Sequence, residues 1–338
     1  MKEFSYLLEE IYEFPQIIHE LIENRNVCIF DIETTGLNRN KDKVILIGYL
    51  FFDNKKPVIK QLFAEKQDEE LNILQRFNQE INDFDLLITF NGKNFDIPFL
   101  QARFDKHTIG HSLQLIDHID IFKHLKIYSD MLNLKDYKLK SIEKFLRIDR
   151  KDTISGKDSV LLYNEYTKCN DEELLNKIML HNYEDIYHLG KILNIYKHIP
   201  VHKNEFATII IDKNFNDEPI DLNYFVIDIA LKDRTLVLRG RSKVLNHIVD
   251  QVHHHTAFRF KWVPKEGFFE LSYYLNKFNI NETKHFYAIN INSLDFLNNN
   301  INIYKDQIVN DNLIISIGNR IKIDSATQLI NDTILYLL

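Results

Sequence analysis

Short apolar runs of strand composition alternate with segments of helical period through the first two hundred residues. This alternation limits the possible folds more than any other feature of the chain. The strand-like runs are residues 27–30, 44–52, 58–64, 86–90 and 115–122. Residues 68–81 carry apolar side chains at helical spacing, and residues 171–196 predict one long helix. The order predicts an α/β sheet layer with flanking helices, whose three early strands are close enough to be connected as hairpins.

The last third of the chain has a different, β-rich pattern. Strand pairs are predicted around turns at residues 232–234 and 318–319, and residues 325–338 predict a closing helix. A chain of 338 residues exceeds what one hydrophobic core usually organises, so we place a boundary near residues 198–204. We expect a helical N-terminal segment at 1–24, an α/β domain at 25–198, and a β-rich α+β domain of unknown role at 204–338.

The composition excludes several classes of protein. With 45% hydrophobic and 27% charged residues, the chain has globular proportions and not those of a disordered protein. Its longest apolar run, residues 44–52, is too short to span a bilayer, so we expect no membrane partner. The acidic N-terminus does not resemble a signal peptide, and two cysteines provide no disulfide framework. We therefore expect a cytoplasmic protein.

Charge is distributed unevenly along the chain. The formal net charge is −7, but residues 123–157 hold ten Lys or Arg against five acids. Such a stretch could steer a polyanion towards the protein. It could equally form the solvated faces of two helices with ordinary surface charge.

The segment FDIETTGL gives the first chemical signal, with Asp31 and Glu33 at the end of a strand-like run. Side chains at positions i and i+2 of a strand project to the same face, so these two carboxylates can converge on metal ions. The spacing alone is weak evidence, because Asp-x-Glu also occurs at residues 68–70 and 171–173. Those two pairs open helices, where acids are expected for electrostatic reasons.

Two later segments add polar residues at positions expected to be buried. ITFNGKNFDIPFL places Asp96 just after a strand and a turn, and HNYEDIYHL places His181 and Asp185 on one apolar face of the long helix. An isolated His–Asp pair at i and i+4 could be a satisfied hydrogen bond in the core. Together with Asp31 and Glu33, these acids are what two hard divalent cations would need.

These segments resemble a known family. FDIETTGL, NGKNFDIPFL and HNYEDIYHL look like the three motifs of the DEDD (DnaQ-like) 3′–5′ exonuclease superfamily. HIDIFKHLK, YKLKSIEKFL, DTISGKDS and LLYNEY look like its YprB-type, ribonuclease-H-like branch. The resemblance covers roughly residues 25–195. It implies a ribonuclease-H-like mixed sheet for this part of the chain.

The resemblance also implies a function and a site. The activity would be metal-dependent 3′–5′ hydrolysis of single-stranded RNA or DNA with two Mg²⁺ or Mn²⁺ ions. The metal ligands would be Asp31, Glu33, Asp96 and Asp185. The candidate substrate contacts are Thr34, Thr35, Gly36, Leu37, Asn91 and Phe95. For these last residues a capping, loop or core role is the alternative.

One position departs from the family pattern. Members carry either a Tyr four residues before the last Asp or a His five residues before it, and here those positions hold His181 and Leu180. A residue at i−4 lies on the same helical face as Asp185, so His181 is a candidate to orient or deprotonate the attacking water. The rival interpretations are a non-catalytic nucleic-acid-binding or assembly protein on a nuclease scaffold, and a phosphodiesterase of small nucleotides.

Overall fold

The chain divides into two units, residues 1–199 and residues 200–338, in the computed structural model. The structure describes all residues except 11, 23–24, 114–115, 129–131, 133, 200–207, 216–217, 243, 282–283, 300–303, 305–306, 319 and 338. Among the described residues, no helix combines the length and the hydropathy that a membrane span requires.

The first unit is built on a mixed six-stranded sheet. Its strands are β1 (Lys2–Leu7), β2 (Val27–Thr34), β3 (Val44–Asp53), β4 (Lys56–Phe63), β5 (Leu86–Thr89) and β6 (Asp117–Asp120). They lie in the order β1-β4-β3-β2-β5-β6. The pairs among β1, β4, β3 and β2 are antiparallel, whereas β5 is parallel to both β2 and β6. Strand β2 therefore lies where the antiparallel and parallel parts of the sheet meet.

Helices cover both faces of this sheet. They are α1 (Gln16–Ile22), α2 (Glu70–Ile81), α3 (Asp96–Lys106), α4 (Ile121–Ile127), α5 (Leu139–Phe145), α6 (Gly156–Cys169) and α7 (Glu172–Ile192). Phe30 and Ile32 of β2 belong to the apolar core that includes side chains of α2 and α3. A second core joins β3 and β4 to α6 and α7. Because side chains alternate along a strand, Asp31 and Glu33 are directed to the face that α7 covers.

Among its described residues, the second unit contains two antiparallel sheets and one long helix. The strands are β7 (Thr208–Phe215), β8 (Glu218–Lys232), β9 (Thr235–Arg241), β10 (Gln251–His254), β11 (Phe258–Val263), β12 (Phe268–Tyr274), β13 (Asn276–Asn279), β14 (His285–Asn290), β15 (Ile308–Val309), β16 (Asn312–Ile317) and β17 (Arg320–Ile321). One sheet has the order β10-β11-β12-β9-β8-β7, and the other has the order β13-β14-β16-β15 with β17 beside β16. The helix is α8 (Ile323–Leu337). Buried side chains of β11, among them Phe260 and Trp262, belong to the core of this unit.

The predicted α/β class with a β-rich second half is confirmed, but two local predictions were wrong. The first residues form no helix: Lys2–Leu7 is a strand that pairs with β4 from Lys2 opposite Phe63 to Leu7 opposite Val58. An edge strand presents unpaired backbone groups, and pairing with them outweighs a weak helical period. The predicted strand 115–122 is shorter, because the Asp120 side chain accepts a hydrogen bond from the Lys123 N–H and begins α4. Residue 115 lies outside the described residues.

Candidate metal-binding and catalytic site

The end of strand β2 carries the first two acids of the site. Asp31 is half-buried and Glu33 is buried, with 7% of its surface exposed. Strand β5 pairs with β2 only as far as Ile29, so the following part of β2 has a free edge on that side. The carboxylate of Asp96 accepts a hydrogen bond from the Ile32 N–H there, at 3.1 Å. This hydrogen bond to Ile32, which lies between Asp31 and Glu33 in the chain, holds the Asp96 carboxylate beside these two acids.

A tight turn brings Asp96 to this edge. Asn91 has a positive φ of 65°, a conformation that Asn tolerates better than most residues. The Asp120 carboxylate accepts hydrogen bonds from the N–H groups of Asn91 and Lys93, at 2.9 and 3.1 Å. Helix α3 then begins at Asp96 itself. The HIDIF segment thus has a structural role in directing the third acid.

Close packing at Gly48 brings helix α7 onto the acidic strand. Gly48 lies opposite Asp31 in the β2–β3 pair, and a Cβ atom there would lie 2.0 Å from Oδ1 of Asn182. The Nδ2 group of Asn182 donates to Asp31 at 3.4 Å, and Gln61 donates to Asn182 at 2.8 Å. A side chain at position 48 would therefore displace α7 and the residues that α7 contributes to the site.

His181 and Asp185 of α7 complete the cluster. His181 is buried, and its Nε2 atom lies 3.5 Å from Oε1 of Glu33 and 3.7 Å from Oδ2 of Asp185. Tyr183, two residues before Asp185, instead packs edge-on against Tyr6. The structure thus brings together the five residues that the sequence proposed as catalytic: Asp31, Glu33, Asp96, His181 and Asp185.

Burial and mutual repulsion weaken the ionisation of the acids. Burial, together with the charges of Asp96, Asp185 and Glu33, raises the pKa of Asp31 well above its ordinary value. Burial also raises the pKa of Glu33 to about 7, although the nearby His181 opposes this shift. The pKa of Asp96 rises to about 7, again mainly through burial. A divalent cation would relieve this repulsion and favour the ionised acids.

A cluster of charged residues on the far side of His181 was missed by the sequence reasoning. Arg150 lies in the loop after α5, and its Nη1 group donates to Oδ1 of Asp185 at 2.5 Å. The Nδ1 atom of His181 lies 2.8 Å from Oδ2 of Asp152. In the sequence, Arg150 and Asp152 belong to the basic stretch of residues 123–157, and Asp152 also begins the family-like segment DTISGKDS. The periodicity of a sequence does not indicate whether a loop will be buried against a helix.

The donor set fits a hard divalent cation. One ligand atom each from Glu33, His181 and Asp185 lies within 4.8 Å of the others. Carboxylate oxygens are the preferred ligands of Mg²⁺ and suit Mn²⁺. Oδ1 of Asp185 is occupied by Arg150, whereas its Oδ2 atom is directed towards His181. The site therefore has the acids and the orientation to hold such a cation.

The candidate substrate residues divide into two groups. The hydroxyl of Thr34 donates to the Gly36 carbonyl at 2.7 Å, and that of Thr35 accepts from the Lys43 N–H at 3.0 Å. A Cβ atom at Gly36 would lie 2.5 Å from the Asp42 carboxylate. These three residues thus shape the loop after β2. The Asn91 side chain also has a local contact, because it accepts a hydrogen bond from the Asn94 side chain.

Leu37 and Phe95 lie in a more open setting. Leu37 is 86% exposed and Phe95 is half-buried. Both residues line a cavity of about 460 Å³ together with Arg39, Asn94 and Phe99. This lining combines aromatic rings with polar side chains, and aromatic rings of this kind can stack on a nucleobase.

The raised pKa values predict an unusual pH dependence of stability. Glu33 and Asp96 have a pKa of about 7 in the folded protein, above their ordinary values, so the stability from their protonated forms is lost as pH rises through 7. Between pH 6.5 and 8 we expect these two acids to lower the free energy of unfolding of the metal-free protein by about 1.5 kcal/mol. His118 and His124, whose pKa burial lowers to about 3, are neutral in the folded protein but still partly protonated in the unfolded chain at pH 6.5, so together they offset about half of this loss.

Thermal unfolding in a chelator at several pH values tests this expectation. Added Mn²⁺ should remove most of the loss, and Asp96→Asn should make the pH dependence in chelator shallower. A melting temperature that stays constant or rises from pH 6.5 to 8 would contradict the assigned cluster.

The first unit is a mixed sheet with acids on its central strand, and the flanking helices contribute further acids. This arrangement defines a ribonuclease-H-like α/β protein. The RNase_H_2 model, described as RNase_H superfamily, matches residues 28–197, half of the chain, and the chain belongs to this family. The uncharacterized protein YprB of Bacillus subtilis is 29% identical over 181 residues, which cover 52% of this chain and 42% of that protein.

Two further relatives are DNA polymerases. The DNA polymerase of Thermococcus aggregans is 25% identical over 203 residues, covering 50% of this chain and 11% of the polymerase. The PolC-type DNA polymerase III of Caldanaerobacter subterraneus is 29% identical over 142 residues, covering 36% and 10%. The chain therefore spans less than half the length of each of these relatives.

Proposed function

We propose that this protein is a metal-dependent nuclease that removes nucleotides from the 3′ end of single-stranded nucleic acid. One observation carries the proposal: four carboxylates and one histidine, from three separate segments of the chain, meet at the end of β2. The first segment contributes Asp31 and Glu33, the second contributes Asp96, and the third contributes His181 and Asp185. The membership in the RNase_H superfamily supports the same class of chemistry.

The carboxylates would hold Mg²⁺ or Mn²⁺, with Asp31, Glu33, Asp96 and Asp185 as the proposed ligands of two ions. When bound, such ions lower the pKa of a coordinated water and stabilise the leaving oxygen. The chain itself holds the ligands in place: the Ile32 N–H fixes Asp96, and Asn182 contacts Asp31. Fixed ligands of this kind need little reorganisation during the reaction.

His181 is the proposed general base. Its Nδ1 atom contacts Asp152, which leaves Nε2 on the side of Glu33 and Asp185. In the reaction, the water oxygen forms a bond to phosphorus, the bond from phosphorus to the 3′ oxygen breaks, and the water proton passes to Nε2. The leaving oxygen takes a proton from solvent.

Features around the site support a single strand as the substrate. The cavity beside Leu37 and Phe95 could hold an unstacked terminal base. Lys140, which is 55% exposed, lies 3.9 Å from Asp152 and places positive charge at the margin of the site. Most other cations of the 123–157 stretch are also exposed, where they could attract phosphates. The similarity to two DNA polymerases supports a nucleic-acid substrate.

The main alternative is a nucleic-acid-binding protein that has no activity. The acid cluster argues against it, because buried carboxylates without a cation reduce stability and a scaffold does not need them. Digestion of 5′-labelled RNA and DNA oligonucleotides with Mn²⁺ tests the two functions directly. A ladder that shortens from the 3′ end supports the nuclease, whereas binding without cleavage would support the alternative. Cleavage confined to dinucleotides would instead indicate a phosphodiesterase of small nucleotides.

The state of the strand ends should control the rate. If the site encloses the terminal nucleotide, a 3′-phosphate should slow degradation at least about 10-fold, because it occupies the position of the free hydroxyl and adds charge. A 5′ block on the same oligonucleotide is the control and should leave the rate unchanged. Rates are compared on labelled strands of equal length. Cutting of a circular strand at a similar rate would show endonuclease activity instead.

A further inference from the structure

The loop between α5 and α6 lies against helix α7 beside the site. The Glu184 carboxylate accepts hydrogen bonds from the N–H groups of Lys151 and Asp152, the latter at 2.7 Å. Glu184 is buried and directly precedes Asp185. The loop is thus attached by its backbone to the helix that contributes two residues to the site.

Arg150 links this loop to three carboxylates. Its guanidinium donates to Glu143 through Nε and Nη2, at 3.1 and 2.5 Å. Through Nη1 it donates to Asp185 at 2.5 Å and to Asp152 at 3.3 Å. The side chain is 8% exposed, and a guanidinium stays charged at any physiological pH. Arg150 therefore sets the position of Asp152 relative to Asp185.

Asp152 in turn contacts the ring of His181. Its Oδ1 atom accepts from the Ile154 N–H at 2.9 Å, and its Oδ2 atom lies 2.8 Å from Nδ1 of His181. A carboxylate only accepts hydrogen bonds, so this contact requires a proton on Nδ1. In the neutral ring, Nε2 is then unprotonated and is directed towards Glu33 and Asp185.

We propose that Asp152, held by Arg150, is a positioning residue that fixes His181 with its proton on Nδ1 and its acceptor Nε2 towards the reacting water. The inference rests on the proposed function, because the ring orientation matters for turnover only if His181 acts on that water. Partners of this kind act through the residue that they orient and do not touch the substrate. Their loss typically lowers activity by about 10- to 100-fold.

The state of the ring can be measured without any reaction. Nitrogen-15 chemical shifts of the His181 ring, recorded on the full chain in a chelator at a pH where the ring is neutral, identify which nitrogen carries the proton. The expected result is the Nδ1–H form. A wild-type ring with its proton on Nε2 would overturn the proposal by itself, with no variant needed.

Asp152→Asn provides the second measurement. The amide keeps the volume and the oxygen that accepts from Ile154, but its NH₂ group can face His181 and favour the other ring form. We expect a mixed or Nε2–H ring, and a kcat with Mn²⁺ about 10- to 100-fold lower at a KM within about threefold of the wild type. Asp149→Asn, an exposed change in the same loop, is the matched control.

The outcomes separate the two hypotheses. A variant that keeps the wild-type ring form and kcat would overturn the positioning role while leaving the nuclease intact. A wild-type protein without activity on any oligonucleotide would refute the proposed function. The ring measurement would still show whether Asp152 orients His181.

Discussion

Asp31→Asn should lower Mn²⁺-dependent turnover by about 10³-fold or more, which corresponds to about 4 kcal/mol of transition-state stabilisation. Asp31 is close enough to the other three acids that the charges of Asp96, Asp185 and Glu33 all raise its pKa. The amide keeps the side-chain volume but removes the charge that would hold the cations. Turnover of a labelled oligonucleotide and Mn²⁺ binding by calorimetry measure the effect.

The same substitution should not destabilise the metal-free protein. A neutral amide relieves the repulsion that raises the pKa of Asp31, so the melting temperature in chelator should equal or exceed that of the wild type. Asp171→Asn is the matched control: it makes the same change in another Asp-x-Glu pair, and Asn keeps the helix N-cap that Asp171 provides. Wild-type turnover in Asp31→Asn would refute the metal assignment.

His181→Ala should lower turnover by about 10²–10⁴-fold while leaving Mn²⁺ binding nearly intact, as expected for a lost general base. The histidine is 5% exposed, so circular dichroism and thermal unfolding must first show that the variant folds. His107→Ala is a suitable control, because His107 contacts Glu70 outside the site. If His181→Ala retains full activity, the ring is a core residue and does not act on the water.

His181→Tyr should recover part of the activity that Ala loses, because the exonuclease motif that the sequence resembles places a Tyr at this position, and its hydroxyl can still hydrogen-bond the water. The pH profile should also change. Burial lowers the pKa of His181, but the negative charges of Glu33, Asp185 and Asp152 together raise it by more. The pKa of His181 therefore lies above its ordinary value. A base must be unprotonated, so wild-type activity should fall as the pH drops through that raised pKa. The pH profile of the Tyr variant should lack this loss of activity at low pH.

The sequence was sufficient for the layered fold and for selecting five residues that the structure brings together. Strand β3 is an unbroken apolar run, and α7 has a helical apolar face interrupted by His181, so both elements follow from residue order alone. Asp31 and Glu33 could be assigned to one strand face because side chains alternate along any strand. These inferences need only local geometry, which neighbouring residues determine.

The tertiary structure alone decided how distant segments meet. The helical period of the first residues did not show that β1 pairs with the edge of β4, because the composition of a strand does not reveal its partner. Likewise, the charges of Arg150 and Asp152 looked like surface charge. Their burial depends on the Glu184 carboxylate binding the loop backbone, a contact between residues more than thirty positions apart. Local patterns specify faces and periods, whereas the partner of a buried charge is set by packing between elements.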